Sequence, residues 1–165
     1  MIMDAYRPLI DSEFVTVGDL AYGSIKLKLK AKQTAEMRDD KTLAYLFDVI
    51  SEGLPIGGIH LRLGWSLPYY YAGQLGYWID EPFRGKGFAV EACLSLLPIL
   101  KLHGYEKLVI GTDENNRASR RVCEKIGAVF LETTDTPEWS GLYAEGQRKT
   151  SIYEWIMDKT ERVGQ

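Results

Sequence analysis

Two glycines and two cations fall together at Arg84-Gly85-Lys86-Gly87-Phe88-Ala89, between a strand-like run at residues 74–79 and a long apolar, helix-like run at residues 90–103. A glycine-rich turn that opens a helix presents several backbone N–H groups without partners, and the helix dipole adds partial positive charge there. That combination is an anion cradle, suited to phosphate. Gly85 and Gly87 put no side chain in a phosphate's way and accept backbone angles that other residues resist. Arg84 and Lys86 can add charge-assisted bonds to phosphate oxygens. An ordinary strand-to-helix turn carries the same short string, so a second feature is needed to decide.

That feature is Asn116-Arg117-Ala118-Ser119-Arg120-Arg121-Val122-Cys123-Glu124-Lys125-Ile126-Gly127, which follows another strand-like run at residues 107–111. Arg84-x-x-Gly87-x-Ala89 resembles the pyrophosphate loop Q/R-x-x-G-x-G/A of the GNAT superfamily of N-acetyltransferases. Asn116-x-Ala118-Ser119 running into Glu124-Lys125-x-Gly127 resembles that family's next helix. The resemblance covers about residues 73–130 and is nearest the branch that includes ribosomal-protein N-terminal acetyltransferases.

The resemblance implies a GNAT-like acyl-CoA N-acyltransferase fold with acetyl-CoA as cosubstrate. It implies an N-acetyltransferase that moves the acetyl group to a primary amine by direct attack in a ternary complex. Carried over, Arg84, Gly85, Lys86, Gly87, Phe88 and Ala89 take the pyrophosphate. Tyr77, Trp78 and Ile79 offer backbone groups to the pantetheine arm, and the Ile79 N–H bonds the thioester oxygen. Asn116 bonds the arm's amides, with Ser119 beside it; as a helix cap, Asn116 has donor and acceptor sites enough for both tasks.

Proton handling departs from the family's pattern. Many members place a tyrosine as general acid four residues before the helix-closing glycine; here that position is Cys123. A thiol can donate a proton, but an apolar helix cysteine is ordinarily inert packing. Candidate bases are His60, Glu81 and Asp48, with a water chain as the alternative. An α-amine, pKa ~8, is partly neutral near pH 7 without help, whereas a lysine, ~10.4, needs a base or a shifted pKa. Trp65 and Tyr69-Tyr70-Tyr71 form either one wall of an acceptor site or a surface loop. His103, at a helix C-terminus where a cation is favoured, is structural.

The elements that must position these groups follow from pattern. With 165 residues, a net charge of −3 and the composition of a globular protein, the chain is expected to be one domain over 1–165, with no general affinity for nucleic acid or anionic membrane. Cys93 and Cys123 have no metal-ligand spacing, so no metal is expected, and a reducing cytoplasm fits them. No signal peptide and no apolar run near the ~20 residues of a membrane span are seen. The partners expected are a small-molecule amine or a protein N-terminus, with a homodimer left open.

Ile25-Lys26-Leu27-Lys28-Leu29-Lys30 alternates as a strand with one wet face. Residues 42–50 and 55–63 read as a hairpin around Glu52-Gly53, residues 64–73 as a loop, and residues 88–103 as one helix, apolar nearly all round and kinked at Pro98. Residues 128–133 and 150–157 read as two last strands flanking an acidic loop. The fold class is therefore α/β: an α+β mixed sheet with flanking helices.

Two other enzyme classes are set aside. Gly85-x-Gly87-x-x-Val90 lacks the third small residue of a Rossmann dinucleotide site, whose first strand should also lie near the chain start. The P-loop string is absent. The non-enzyme alternative is a coenzyme A-binding sensor or partner module, to which the missing tyrosine gives weight.

Overall fold

The computed structural model describes residues 5–158. Five strands, β1 (Leu20–Tyr22), β2 (Ile25–Gln33), β3 (Ala44–Ser51), β4 (Leu54–Arg62) and β5 (Leu75–Ile79), form one sheet in sequential order. Three more, β6 (Lys107–Asp113), β7 (Val129–Asp135) and β8 (Lys149–Ile156), form a second, ordered β6-β8-β7. The helices are α1 (Leu67–Ala72), α2 (Phe88–Ser95), α3 (Leu97–His103), α4 (Arg117–Lys125) and α5 (Gly141–Ala144). The fold class is as the sequence indicates, but the single mixed sheet is divided into two antiparallel ones. The division falls between β5 and β6.

In β2, Ile25 and Leu27 are buried while Lys26 and Lys28 face solvent, so the alternation in sequence is the alternation in space. The strand runs on to Gln33 past a bulge between Leu29 and Ala31. The β3–β4 hairpin turns on Glu52 and Gly53, both with positive φ (50° and 79°), as a tight two-residue turn requires.

Residues 64–73 hold a helix and are not the loop expected. Ser66 stands at its N-cap position, Pro68 lies in its first turn where the missing N–H costs nothing, and Gly73 ends it at φ +81°. This helix, α1, presses its end onto β6: a Cβ on Gly111 would lie 1.9 Å from the Tyr71 carbonyl oxygen.

The expected helix over 88–103 is broken, not kinked. Pro98 has no N–H for the Leu94 carbonyl. The chain tightens before it, Leu96 N–H bonding Cys93 O at 3.1 Å, and resumes with Leu100 N–H to Leu96 O at 3.0 Å. Nor is its burial all round: Leu96, Ile99 and Leu100 are in the core, while Leu102 is half exposed.

These helices cover the inner face of the large sheet, where Phe47, Val49, Ile59 and Leu61 meet Ala92, Cys93, Leu96 and Leu100 in a core that continues into Leu108, Ile110, Tyr153 and Trp155. Fully burying a leucine or isoleucine contributes roughly 1.5–3 kcal/mol. The outer face of the large sheet carries Lys26, Lys28, Asp48, His60, Arg62 and Trp78, half-buried or exposed. His103 is structural, as read from sequence, but as a neutral ring: Nδ1 meets Ile10 O at 2.6 Å and Nε2 accepts from the Tyr45 hydroxyl at 2.8 Å.

Candidate active site

A 3₁₀ turn at Glu81–Phe83 hands β5 to the glycine loop, closed by Phe83 N–H to Asp80 O at 2.9 Å and Arg84 N–H to Glu81 O at 3.2 Å. Gly85 and Gly87 then take φ of +80° and +83°. At these angles an L side chain is strained, and no atom lies within 4 Å of where a Cβ would stand at either residue. The space above the loop is open, and no side chain caps the first N–H groups of α2. This is the free-donor geometry that binds an anion. Arg84 uses its Nε to hold Ile79 O at 2.8 Å. Lys86 is exposed and stands outside the cleft wall formed by its neighbours.

The cleft, about 480 Å³, runs from this loop between β5 and α4. It exists because β5 and β6 part. At their joined end Gln74 is fully buried: its N–H donates to Val109 O (2.8 Å) and its side-chain oxygen accepts from Val109 N–H (2.9 Å). Its amide nitrogen donates to Tyr6 O (2.7 Å) and Gly64 O (2.9 Å). Beyond it the β5 backbone faces open space. The β4–β5 ladder is bracketed by Arg62 N–H to Gln74 O and Asp80 N–H to Ile56 O, which fixes its parity. Gly76 and Trp78 therefore bond back to His60 and Gly58, and the N–H groups of Tyr77 and Ile79 point toward the gap.

The opposite wall is α4. Asn116 caps it, Oδ1 accepting Ser119 N–H at 3.1 Å, which leaves the side-chain NH₂ for the cleft. The Tyr77 hydroxyl reaches across from β5 to Ser119 Oγ at 3.0 Å and lies 3.8 Å from Cys123 Sγ. Burial, with Cys93 and Cys123 nearby, raises the Tyr77 pKa above the ordinary tyrosine range, so this hydroxyl stays protonated. Burial also pushes the Cys123 thiol up to about 11; the residue is fully buried, and Val122 lines the cleft instead.

The structure brings Tyr77, Trp78, Ile79, Arg84, Gly85, Gly87, Phe88, Ala89, Asn116 and Ser119 to one cleft. It does not bring Glu81, which is exposed on the 3₁₀ turn. His60 and Asp48 lie on the sheet's outer face. Trp78 is there too, its ring seated over Gly58 where a Cβ would come within 2.4 Å, and edge-on to His60 with centroids 5.1 Å apart. Burial, then Arg62, Arg38 and Lys30, lower the His60 pKa, so its ring is neutral at pH 7. Sequence reasoning missed Phe83, Val90, Arg121 and Lys125 in the cleft wall. The helical repeat forward from Ala118 would have found the last two.

Comparison with known proteins bears on this geometry. The family model of the acetyltransferase (GNAT) domain matches residues 19–129. A Bacillus subtilis (strain 168) protein named "Putative ribosomal N-acetyltransferase YdaF" is 34% identical over 85 residues, 48% of this chain and 42% of that protein. The match thus spans less than half the length of this relative. Among solved structures, the Salmonella typhimurium acetyltransferase described as modifying the N-terminal serine of ribosomal protein L7/L12 superposes with a TM-score of 0.54 at 21% identity, over 68% of this chain and 63% of that one. Mycobacterium smegmatis RimJ, in complex with CoA-disulfide, does so with 0.57 at 16% identity, over 73% and 59%. At these identities the likeness is one of fold.

Proposed function

The chain belongs to the GNAT acetyltransferase family, and on that premise we propose that it transfers the acetyl group of acetyl-coenzyme A to the α-amine of a protein N-terminus, by direct attack within a ternary complex. The observation that carries this is the parting of β5 from β6 past Gln74, which aims unpaired β5 backbone groups into a cleft that begins at an anion cradle.

Each part of the reaction has a candidate group. The N–H groups of residues 85–89 receive the pyrophosphate, and Arg121 and Lys125 add positive charge from the facing wall. The pantetheine arm lies along β5, bonded by the backbone of Tyr77 and the side-chain NH₂ of Asn116. Ile79 O is already held by Arg84, so Ile79 contributes its N–H, which meets the thioester oxygen as negative charge develops there. The amine nitrogen attacks the carbonyl carbon, and the C–S bond then breaks. The amine's surplus proton passes to water, and through water can reach the neutral His60 on the adjoining outer face. The departing thiolate accepts hydrogen bonds from the Tyr77–Ser119 hydroxyl pair, which stays protonated, and takes its proton by relay through that pair from water, so that neither hydroxyl is left ionised. An α-amine needs little more, since it is partly neutral near pH 7. The relatives named for ribosomal proteins support a protein acceptor.

The test is incubation with acetyl-coenzyme A and a panel of peptides, polyamines and amino acids, read by mass spectrometry. We expect acetylated peptide N-termini, and no acetyl group on the enzyme when the amine is left out. Tight binding of acetyl-coenzyme A with no acetylated amine would make the chain a coenzyme A-binding module. An acetyl group on Cys123 that amine removes would replace direct attack with a covalent intermediate.

A further inference from the structure

The outer face of the large sheet, beside the cleft, carries an excess of positive charge. Lys26 and Lys28 point outward from β2, Lys30 lies at its bulge, and Arg62 ends β4 on the face that carries His60. Among the described residues, none of these four has a carboxylate within ion-pair distance. Asp48, cross-strand from Lys28, is the acidic residue among them. The chain as a whole carries a net charge of −3, so this face runs against the average of the molecule.

Arg62 differs from the lysines. It is half-buried, and its guanidinium crosses to β5: Nη1 donates to Gly73 O at 2.9 Å, and Nη2 comes within 3.5 Å of where a side chain on Gly76 would begin. The charged neighbours it feels are Arg38 and Asp40. Asp40 is already engaged, accepting from Arg38 Nη2, from the Tyr69 hydroxyl and from Thr42 N–H and Oγ1. Two guanidinium groups therefore share one committed carboxylate. A half-buried cation without its own counter-ion costs stability. Here the cost falls beside Gly76, which leaves the face open, and two residues from His60. Same-face positions two apart on a strand are separated by about 6.8 Å, and an extended peptide repeats that spacing. A peptide whose amine enters the cleft and whose chain runs extended along β4 past His60 thus brings a carboxylate close behind the amine to Arg62.

We propose that Arg62, within the wider field of Lys26, Lys28 and Lys30, selects acceptors with a carboxylate close behind the acetylated amine: acidic peptide N-termini. This rests on the chain being an N-terminal acetyltransferase, and it names the substrate class of that site. Arg62 is a specificity residue, and Gly76, without a side chain, keeps clear the surface over which the peptide lies.

The experiment uses serine-led hexapeptides without lysine, carrying Asp or Asn at positions two and three, at saturating acetyl-coenzyme A. The expected KM of the Asp peptide is about tenfold lower, the worth of one charge-assisted bond, with similar kcat. Arg62→Met should erase the difference; it removes a costly cation but leaves the Gly73 carbonyl without that donor, so the melting temperature is measured alongside. Arg62→Lys should restore part of the preference. Should Arg62→Met not fold, the surface variant K26Q/K28Q/K30Q, which touches no core residue, should raise KM for the Asp peptide alone. Equal KM values in the unaltered protein, or a preference that survives Arg62→Met, would overturn the proposal while leaving the acetyltransferase standing. No acetylation of any peptide would overturn both.

Discussion

Gln74 holds Val109 by both of its backbone groups, its own N–H to the Val109 carbonyl and its side-chain oxygen to the Val109 N–H. One side chain thus stands in for a length of strand, and the two sheets are joined there before they part. Gln74→Leu keeps the volume but leaves Val109 N–H, Tyr6 O and Gly64 O without partners. Each orphaned buried group costs about 1–3 kcal/mol, so a loss of at least ~3 kcal/mol is expected by urea unfolding, together with weaker coenzyme A binding. A loss below ~1 kcal/mol would mean that the amide does not clasp the sheets.

Gly87→Val should act on the cradle in two ways. A β-branched residue at φ +83° is strained, by roughly 1–2 kcal/mol, and its methyls enter the space left open above the loop. Titration calorimetry on folded protein should show coenzyme A affinity falling about tenfold or more. Arg84→Ala removes the bond to Ile79 O and should cost less, about 1 kcal/mol. Unchanged affinity in folded Gly87→Val would move the phosphate site elsewhere.

Ser119→Ala and Tyr77→Phe each remove one member of the hydroxyl pair. Loss of proton donation to the thiolate should lower kcat on the order of 100-fold, with a smaller change in KM for acetyl-coenzyme A. Cys123→Ala should leave kcat nearly intact and lower stability by about 1–2 kcal/mol through a small void in the core. The decisive measurement is turnover against pH for all three. A large fall for Cys123→Ala alone, at unchanged melting temperature, would transfer the acid's role to the thiol.

Stability should fall as pH drops from about 7 toward 5. His103 and His60 are the chain's two histidines, and burial lowers both pKa values. For His103, burial outweighs Ile10 O, Asp11 and Glu13, which pull the other way. A lowered folded pKa means that the unfolded chain, at about 6.5, takes its proton first. The stabilisation is complete above that value and is lost progressively below it. Asp40 is held down to about 2 by bonds from Tyr69, Thr42 and Arg38 that outweigh its burial, and so matters only in stronger acid. Urea midpoints against pH should show the slope, and His103→Gln and His60→Asn should each flatten it. A midpoint that holds or rises from pH 7 to 5 would contradict the neutral assignment.

What the sequence disclosed was local chemistry. Gly85, Gly87 and Asn116 announce positive φ and a helix cap by residue type alone. What it hid was set at a distance. Nothing near Gln74 in the chain says that its partner is Val109, so the clasp that divides the sheet was not legible; that residues 77–79 offer free backbone groups was legible only through the family resemblance. Helix α1 was hidden by its length and by three tyrosines of modest helix propensity, although Ser66 and Pro68 spell a start signal. Pro98 told of an interruption, but only the Leu96 N–H bond to Cys93 O shows that it is a break.

The parity of the β4–β5 ladder has a consequence that an unlabelled solution of the protein can report. Backbone amides of Gly76, Trp78 and Asp80 are bonded into the sheet, while those of Tyr77 and Ile79 face the cleft. In deuterated water residues 76–80 should therefore exchange in alternation, every second amide fast, although the first four belong to one strand and Asp80 follows it directly. Ligand entering the gap would slow the fast set and leave the slow set as it was, so the strand keeps a residue-by-residue record of whether its neighbour is solvent or substrate.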